Sequence, residues 1–180
     1  MFLRLMTLLV GTVLLCGALC NAQTPATPSQ SVPNSPPQSS EVVIGMSRDP
    51  GFWDLGPAYS LSIRADGSVV YVGLRNVKTK GTAKGRVSPE DVKRLIKEFE
   101  KIDYFSLLDE YSHKSGCPFF LWDGANASTS LTSGSKKKSI FHDSGCLADS
   151  NGMSTNSFPP GLTELENLID EIVKSEQWIK

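Results

Sequence analysis

Histidine is scarce in this chain. His113 and His142 are the only two among 180 residues, so any acid–base or metal chemistry has to pass through one of them. The spacings that usually hold a metal are missing as well: there is no Cys-x-x-Cys, no His-Glu-x-x-His and no calcium-loop pattern. No Gly-x-Ser-x-Gly elbow occurs. The glycine-bearing run from Gly81 to Gly85 lacks the lysine-serine ending of a phosphate loop. Nor does charge of one sign predominate, since 18 basic residues face 19 acidic ones. That balance removes the electrostatic case for nucleic acid or an anionic membrane as a partner. No internal repeat stands out.

Long apolar runs are also missing, with one exception at the start. Arg4 is followed by a stretch, Leu8 to Leu19, that is apolar apart from Thr12, and Cys20-Asn21-Ala22 then places small residues ahead of Gln23. This is the pattern of a secretory signal peptide over residues 1–22, too short in its apolar part for a spanning helix. A lipoprotein anchored through Cys20 is disfavoured, because Leu19 stands where a small residue is needed. Removing the leader takes Arg4 from the 18 basic residues and none of the 19 acidic ones, which leaves a net charge of −2. The expected address is the periplasm or the cell exterior, with no membrane span after cleavage.

Residues 23–40 are nearly all Pro, Ser, Thr, Gln and Asn, including Pro25, Pro28, Pro33, Pro36 and Pro37. Such a segment has almost no apolar surface to offset the entropy of ordering, and it reads as an extended, disordered linker. Residues 41–180 are then the size of one ordinary domain. Cys16 and Cys20 leave with the leader, so the mature chain keeps Cys117 and Cys146. A lone pair of cysteines in an exported chain is expected to form a disulfide, contributing roughly 3–4 kcal/mol for a loop of this length.

The strongest local pattern is a hairpin from Tyr59 to Gly73. Tyr59, Leu61 and Ile63 alternate with Ser60, Ser62 and Arg64, Asp66-Gly67 supplies the turn, and Val69 to Val72 returns. Gly73 ends the run and marks a bulge. A first strand is expected over Glu41 to Ser47, and an edge strand within Val77 to Val87, guarded by Lys78, Lys80 and Lys84. Ser88-Pro89-Glu90-Asp91 opens a helix whose apolar stripe is Val92, Leu95, Ile96, Phe99 and Ile102. Tyr104 and Phe105 are expected to tuck its end into the core. Ser128 to Leu131 and Lys136 to Phe141 bracket Ser133-Gly134-Ser135 as a second hairpin, with Lys136 to Lys138 as an exposed strand start. Pro159-Pro160 precede a last helix with Leu162, Leu165, Leu168, Ile169 and Ile172 on one face, and with Glu164, Glu166, Asp170 and Glu171 elsewhere. Trp178 is expected to close over the sheet. The order predicts an α+β domain: an antiparallel sheet from two hairpins plus flanking strands, with two helices packed on one side.

Pro57 to Gly73, Val77, Gly81 and Val87-Ser-Pro-Glu-Asp-Val92, together with Lys-Lys-Ser-Ile-Phe-His142, Pro160-Gly-Leu162 and Ile169-Asp170, resemble bacterial domain-of-unknown-function family 6438. The resemblance runs over nearly all of Glu41 to Trp178 and implies an exported domain without implying an activity. Members of that family often carry two cysteines just ahead of the first hairpin. Here Trp53 and Gly56 occupy that region and the pair is Cys117 and Cys146, which argues that cysteine is a movable staple rather than a metal or redox centre.

Little else carries chemistry. His142-Asp143-Ser144 contains the residue types of a hydrolase triad, but neighbours in a strand point to opposite faces. Asp109, Glu110, His113, Cys117 and His142 are metal candidates without a motif. Phe52, Trp53, Phe119, Phe120 and Trp122 fall in loops, where they either cover one end of the sheet or form a recognition patch. The sequence therefore favours a non-enzymatic exported binding or accessory domain without catalytic, cofactor or metal residues, its partner a protein of the envelope or the extracellular space. The alternatives are a small exported hydrolase centred on His142 and Asp143, and a purely structural envelope protein.

Overall fold

The computed structural model describes residues 41–51, 55–122, 124–149 and 157–180; the leader and the linker read from the sequence lie outside them. The first strand, β1 (Val42–Asp49), is followed by β2 (Ala58–Arg64), β3 (Ser68–Arg75) and β4 (Gly81–Arg86). The helix α1 (Pro89–Lys101) leads through a short 3-10 turn, Tyr104–Ser106, to β5 (Glu110–Tyr111) and β6 (Phe119–Phe120). Next come β7 (Asn126–Ser133), β8 (Lys136–Asp143) and β9 (Cys146–Leu147), then α2 (Leu162–Val173) and α3 (Glu176–Ile179). Seven strands form one sheet in the order β4-β3-β2-β1-β7-β8-β5, while β6 and β9 pair separately. Among the described residues, the named strands pair antiparallel except β5 with β8. The architecture is α+β.

The two hairpins lie on either side of β1, which pairs with β2 and with β7 and so joins them into one sheet. In the β2–β3 turn Asp66 Oδ1 accepts from the Ser68 amide at 2.9 Å, the local bonding that suits Asp to a turn. These hydrogen bonds hold the Asp66 carboxyl below its ordinary range. Gly67 adopts φ +80, and its carbonyl accepts from the Val87 amide at 2.9 Å, tying the hairpin to the entry of α1. The bulge foreseen at Gly73 lies one step beyond it: Tyr59 faces Gly73 and Ala58 faces Arg75, so Leu74 is the extra residue.

Ser88 caps α1 in a reciprocal box with Asp91, and Pro89 occupies the first turn. The helix buries Val92, Leu95 and Phe99, each such side chain stabilising the fold by about 1.5–3 kcal/mol. These join Ile44, Met46, Leu61, Ile63, Val69, Leu131 and Ile140 from alternate strand positions, and Leu162, Leu165 and Ile169 from α2, in one core. Tyr104 is buried and donates to the Thr129 carbonyl at 2.8 Å. Trp178 stacks on Tyr71 with centroids 4.7 Å apart, and Tyr71 in turn stacks on Tyr59. Of the three lysines at the start of β8, Lys138 pairs with Asp109 at 2.8 Å and Lys136 sits over the Phe105 ring.

The acids of α2 depart from the sequence reading. Glu166 is 3% exposed, although the helical stripe places it with the solvated residues. Cations and donors from distant strands explain the burial. Glu166 Oε1 accepts from His142 Nδ1 at 2.8 Å, and its other oxygen lies 3.8 Å from the Arg48 guanidinium. Arg48 also donates to Asp170 at 2.7 Å and to Asn167 at 3.1 Å, and the Tyr59 hydroxyl donates to Asp170 at 2.5 Å. Strands β1, β2 and β8 are thereby fastened to α2 through paired charge, the condition under which buried charge is tolerated.

Candidate functional site: an aromatic cluster beside a polar cleft

The site is built by the parallel pairing of β5 with β8, in which Glu110 faces Phe141 and Tyr111 faces His142. Alternation turns Tyr111 and His142 into the core and leaves Glu110, Phe141 and Asp143 half-buried on the opposite face of the sheet. After β5 the chain makes a tight turn. The Ser112 amide donates to the Ser115 carbonyl at 2.8 Å, and the Lys114 amide donates to Ser112 Oγ at 3.1 Å. This turn projects His113. Glu110, Ser112, His113, Lys114, Phe141 and Asp143 then enclose an open cleft of about 330 Å3.

Beside the cleft, β6 and the residues after it supply an aromatic cluster that meets the cleft at His113. Phe120 pairs with Cys146 across the small β6–β9 ladder, and the disulfide joins Cys117 to Cys146 with Cα atoms 5.4 Å apart. The Leu121 amide donates to the Gly145 carbonyl at 2.9 Å. Beyond it, Trp122 packs edge-on against Phe120, with centroids 5.3 Å apart, and lies 4.7 Å from the His113 ring. Trp122 is nonetheless 75% exposed. An indole packed against two other rings and still open to water is a built surface feature rather than core.

The aromatic patch read from the sequence is thus brought together in part. Phe120 and Trp122 form one cluster; Phe119, one position along the strand from Phe120, is half-buried and faces Leu147 in the ladder. Phe52 and Trp53 lie outside the described residues. His113 is the member that sequence reasoning missed. Its ring contacts arise from tertiary packing and leave no local signal.

The pair His142 and Asp143 does not converge. His142 is 2% exposed and bonded to Glu166, with its Nε2 buried and unpartnered among the described residues. Asp143 faces the cleft, where Oδ1 accepts from the Gly145 amide at 2.9 Å. In the cleft itself, Ser112 donates its hydroxyl proton to Glu110 and not to an imidazole. The linked nucleophile, base and orienting group of covalent catalysis is therefore not assembled there by the described residues. Among those residues, no group of three or more His, Cys, Asp and Glu side chains is arranged to hold a metal ion.

The cleft can instead offer hydrogen bonds. One oxygen of Glu110 and one of Asp143 are engaged internally, and each carboxylate has a second oxygen for an incoming donor. Lys114 and His113 supply donors beside them. The buried network below has a different electrostatic character. Desolvation of Arg48 pulls its pKa down, but the adjoining Asp170 and Glu166 outweigh it and hold the guanidinium above its ordinary value. Burial, reinforced by the Asp170 carboxylate, pushes the Tyr59 phenol well up. These groups are locked as a cation and a neutral phenol, and they serve the fold.

No curated protein matches the chain. The family described as "Domain of unknown function (DUF6438)" matches residues 43–173, well over half of the chain, and the protein belongs to that family.

Proposed function

We propose that the protein is an exported, non-enzymatic binding module that meets its ligand at the envelope or in the extracellular space through the aromatic cluster and the adjoining cleft. Export rests on the leader pattern of residues 1–22 and agrees with a cysteine pair at bonding distance in the domain. The observation that carries the binding reading is Trp122. It is three-quarters exposed, yet packed against Phe120 and His113 beside the disulfide-linked ladder. A rigid exposed aromatic loses little conformational entropy when it is covered, which is why such residues anchor interfaces.

The test is co-sedimentation of the purified protein with the envelope fraction of the cells that produce it. Wild type is expected to bind saturably, and Trp122→Ala to bind at least tenfold more weakly with an unchanged thermal transition. Equal binding by both proteins, or no binding by wild type, overturns the reading.

A further inference from the structure

Phe141, which lines the cleft, stands at one end of a cross-strand row. Phe141 faces Ser128, Ser128 faces Ser47, and Ser47 faces Ser60, so a row of side chains runs from the cleft across four strands on one face of the sheet. The adjoining row is Ser139, Ser130, Gly45 and Ser62. Because every side chain in this second row is small, the face sinks into a shallow depression of about 290 Å3 lined by Gly45 and four serines, with Met46, Leu61 and Thr129 of the buried face also reaching it. Gly45 contributes no side chain to the floor, and Ser130 Oγ lies 2.5 Å from where a Cβ would stand. Strand spacing makes the distance from β8 to β2 roughly 14 Å.

We infer that this face, from Trp122 and His113 through the Glu110–Asp143 cleft and along the cross-strand row to the serine floor, binds an extended saccharide chain. The inference rests on the binding reading above and names its ligand class. Three features select the class. The floor presents hydroxyls, which both donate and accept, as the hydroxyls of a sugar do. The cores of protein–protein interfaces are apolar and depleted in serine, so a floor of this composition suits a protein partner poorly. The cleft sets the Glu110 and Asp143 carboxylates beside the Lys114 ammonium, charge of both signs that favours neither a polyanion nor a polycation. A neutral, polyhydroxylated ligand matches that field. At the near end, the C–H face of a pyranose ring fits against the exposed Trp122 indole, while ring hydroxyls donate to the free oxygens of Glu110 and Asp143.

The test divides the envelope fraction into two portions, one digested with protease and one oxidised with periodate, which cleaves vicinal diols. Binding of the full-length protein, purified from producing cells, is expected to survive protease and to fall at least tenfold after periodate. Ser47→Leu, which fills the floor between Ser60 and Ser128, is expected to weaken binding to the protease-treated fraction at least fivefold with its thermal transition preserved. The same substitution adds apolar area and so favours a protein partner rather than a sugar. Binding that survives periodate and is lost to protease overturns the saccharide inference in favour of a protein and leaves the binding reading standing. Unaltered binding by Ser47→Leu removes the serine floor from the site and overturns the extended-chain inference. Failure of wild type to bind the untreated fraction overturns both readings.

Discussion

His142 Nδ1 donates to Glu166 Oε1 at 2.8 Å, joining β8 to α2 with both side chains at least 96% sequestered from solvent. The bond is part of a chain that continues through Arg48 to Asp170 and Tyr59. Removing one member leaves the others desolvated without a partner, the costly half of the buried-pair asymmetry. Glu166→Ala is therefore expected to destabilise the fold by about 3–5 kcal/mol. Glu166→Gln, which keeps the shape and one acceptor, is expected to cost less. Urea denaturation of the three proteins checks the order, and a Glu166→Ala protein as stable as wild type contradicts it.

Two phenols make the fold sensitive to alkali. Burial pushes Tyr104 up to about 12, against the opposing effect of its bonds to Thr129, and Tyr59 is also held well above its ordinary value. In the unfolded chain both titrate near 10. The unfolded state thus releases its protons first as pH rises, and the folded state loses ground by linkage. The contribution of Tyr104 is complete below about pH 10 and is lost as the pH climbs toward its folded value near 12. Tyr104→Phe is expected to cost about 1 kcal/mol at neutral pH and to flatten the decline of the urea midpoint between pH 10 and 12. An identical pH profile in the variant contradicts the assignment.

The parts of this architecture that were legible in the sequence are those in which cause and effect lie close along the chain. Asp66-Gly67 between alternating runs, the Ser88–Asp91 box and the stripe on α1 each declare themselves within a few residues. The pairing of Cys117 with Cys146 followed from counting. What stayed hidden is non-local. Glu166 looks like a solvent-facing acid until Arg48 and His142 are brought to it from other strands. The two-residue strand β5 has too little pattern to betray its parallel pairing, and without that pairing Glu110, Phe141 and Asp143 do not come together. Phe120 and Trp122 stood out as aromatics outside regular elements, but their packing against His113 did not. Ser60 and Ser62 show in the sequence only as the polar half of an alternation, and the serines of β1 and β7 carry no signal of their own. Their alignment into a floor depends on register across strands, which a single sequence does not display.

Reduction of the disulfide bears on the fold and the site together. The bridge closes a sequence separation of 29 residues, and its removal is expected to lower stability by roughly 3–4 kcal/mol. Cys146 is buried within the β6–β9 ladder, so the aromatic cluster loses its tether as well. Cys117→Ser/Cys146→Ser is expected to lower the urea midpoint and, under conditions where the sheet remains folded, to weaken envelope binding at least threefold. Unchanged stability and binding in the double variant contradict a stapling role for the bridge.

Gly67 and Gly45 should respond oppositely to the same substitution. At Gly67 a Cβ would stand 2.2 Å from the Val87 carbonyl oxygen in a backbone at φ +80. That carbonyl belongs to the main chain, directly before the helix cap, and cannot turn aside. Gly67→Ala is accordingly expected to cost at least about 1–3 kcal/mol through strain and a displaced hairpin. At Gly45 the obstructing atom is the Ser130 hydroxyl, the end of a side chain that can rotate away. The backbone there lies in ordinary strand conformation, and alanine lowers the entropy of the unfolded chain by an amount that stabilises by about 0.5–1 kcal/mol. Gly45→Ala is thus expected to leave stability within about 1 kcal/mol of wild type. It raises the floor of the serine trough all the same, and envelope binding should fall several-fold. Denaturation and sedimentation measured on both variants separate the two effects, and equal stability losses at the two glycines contradict the account.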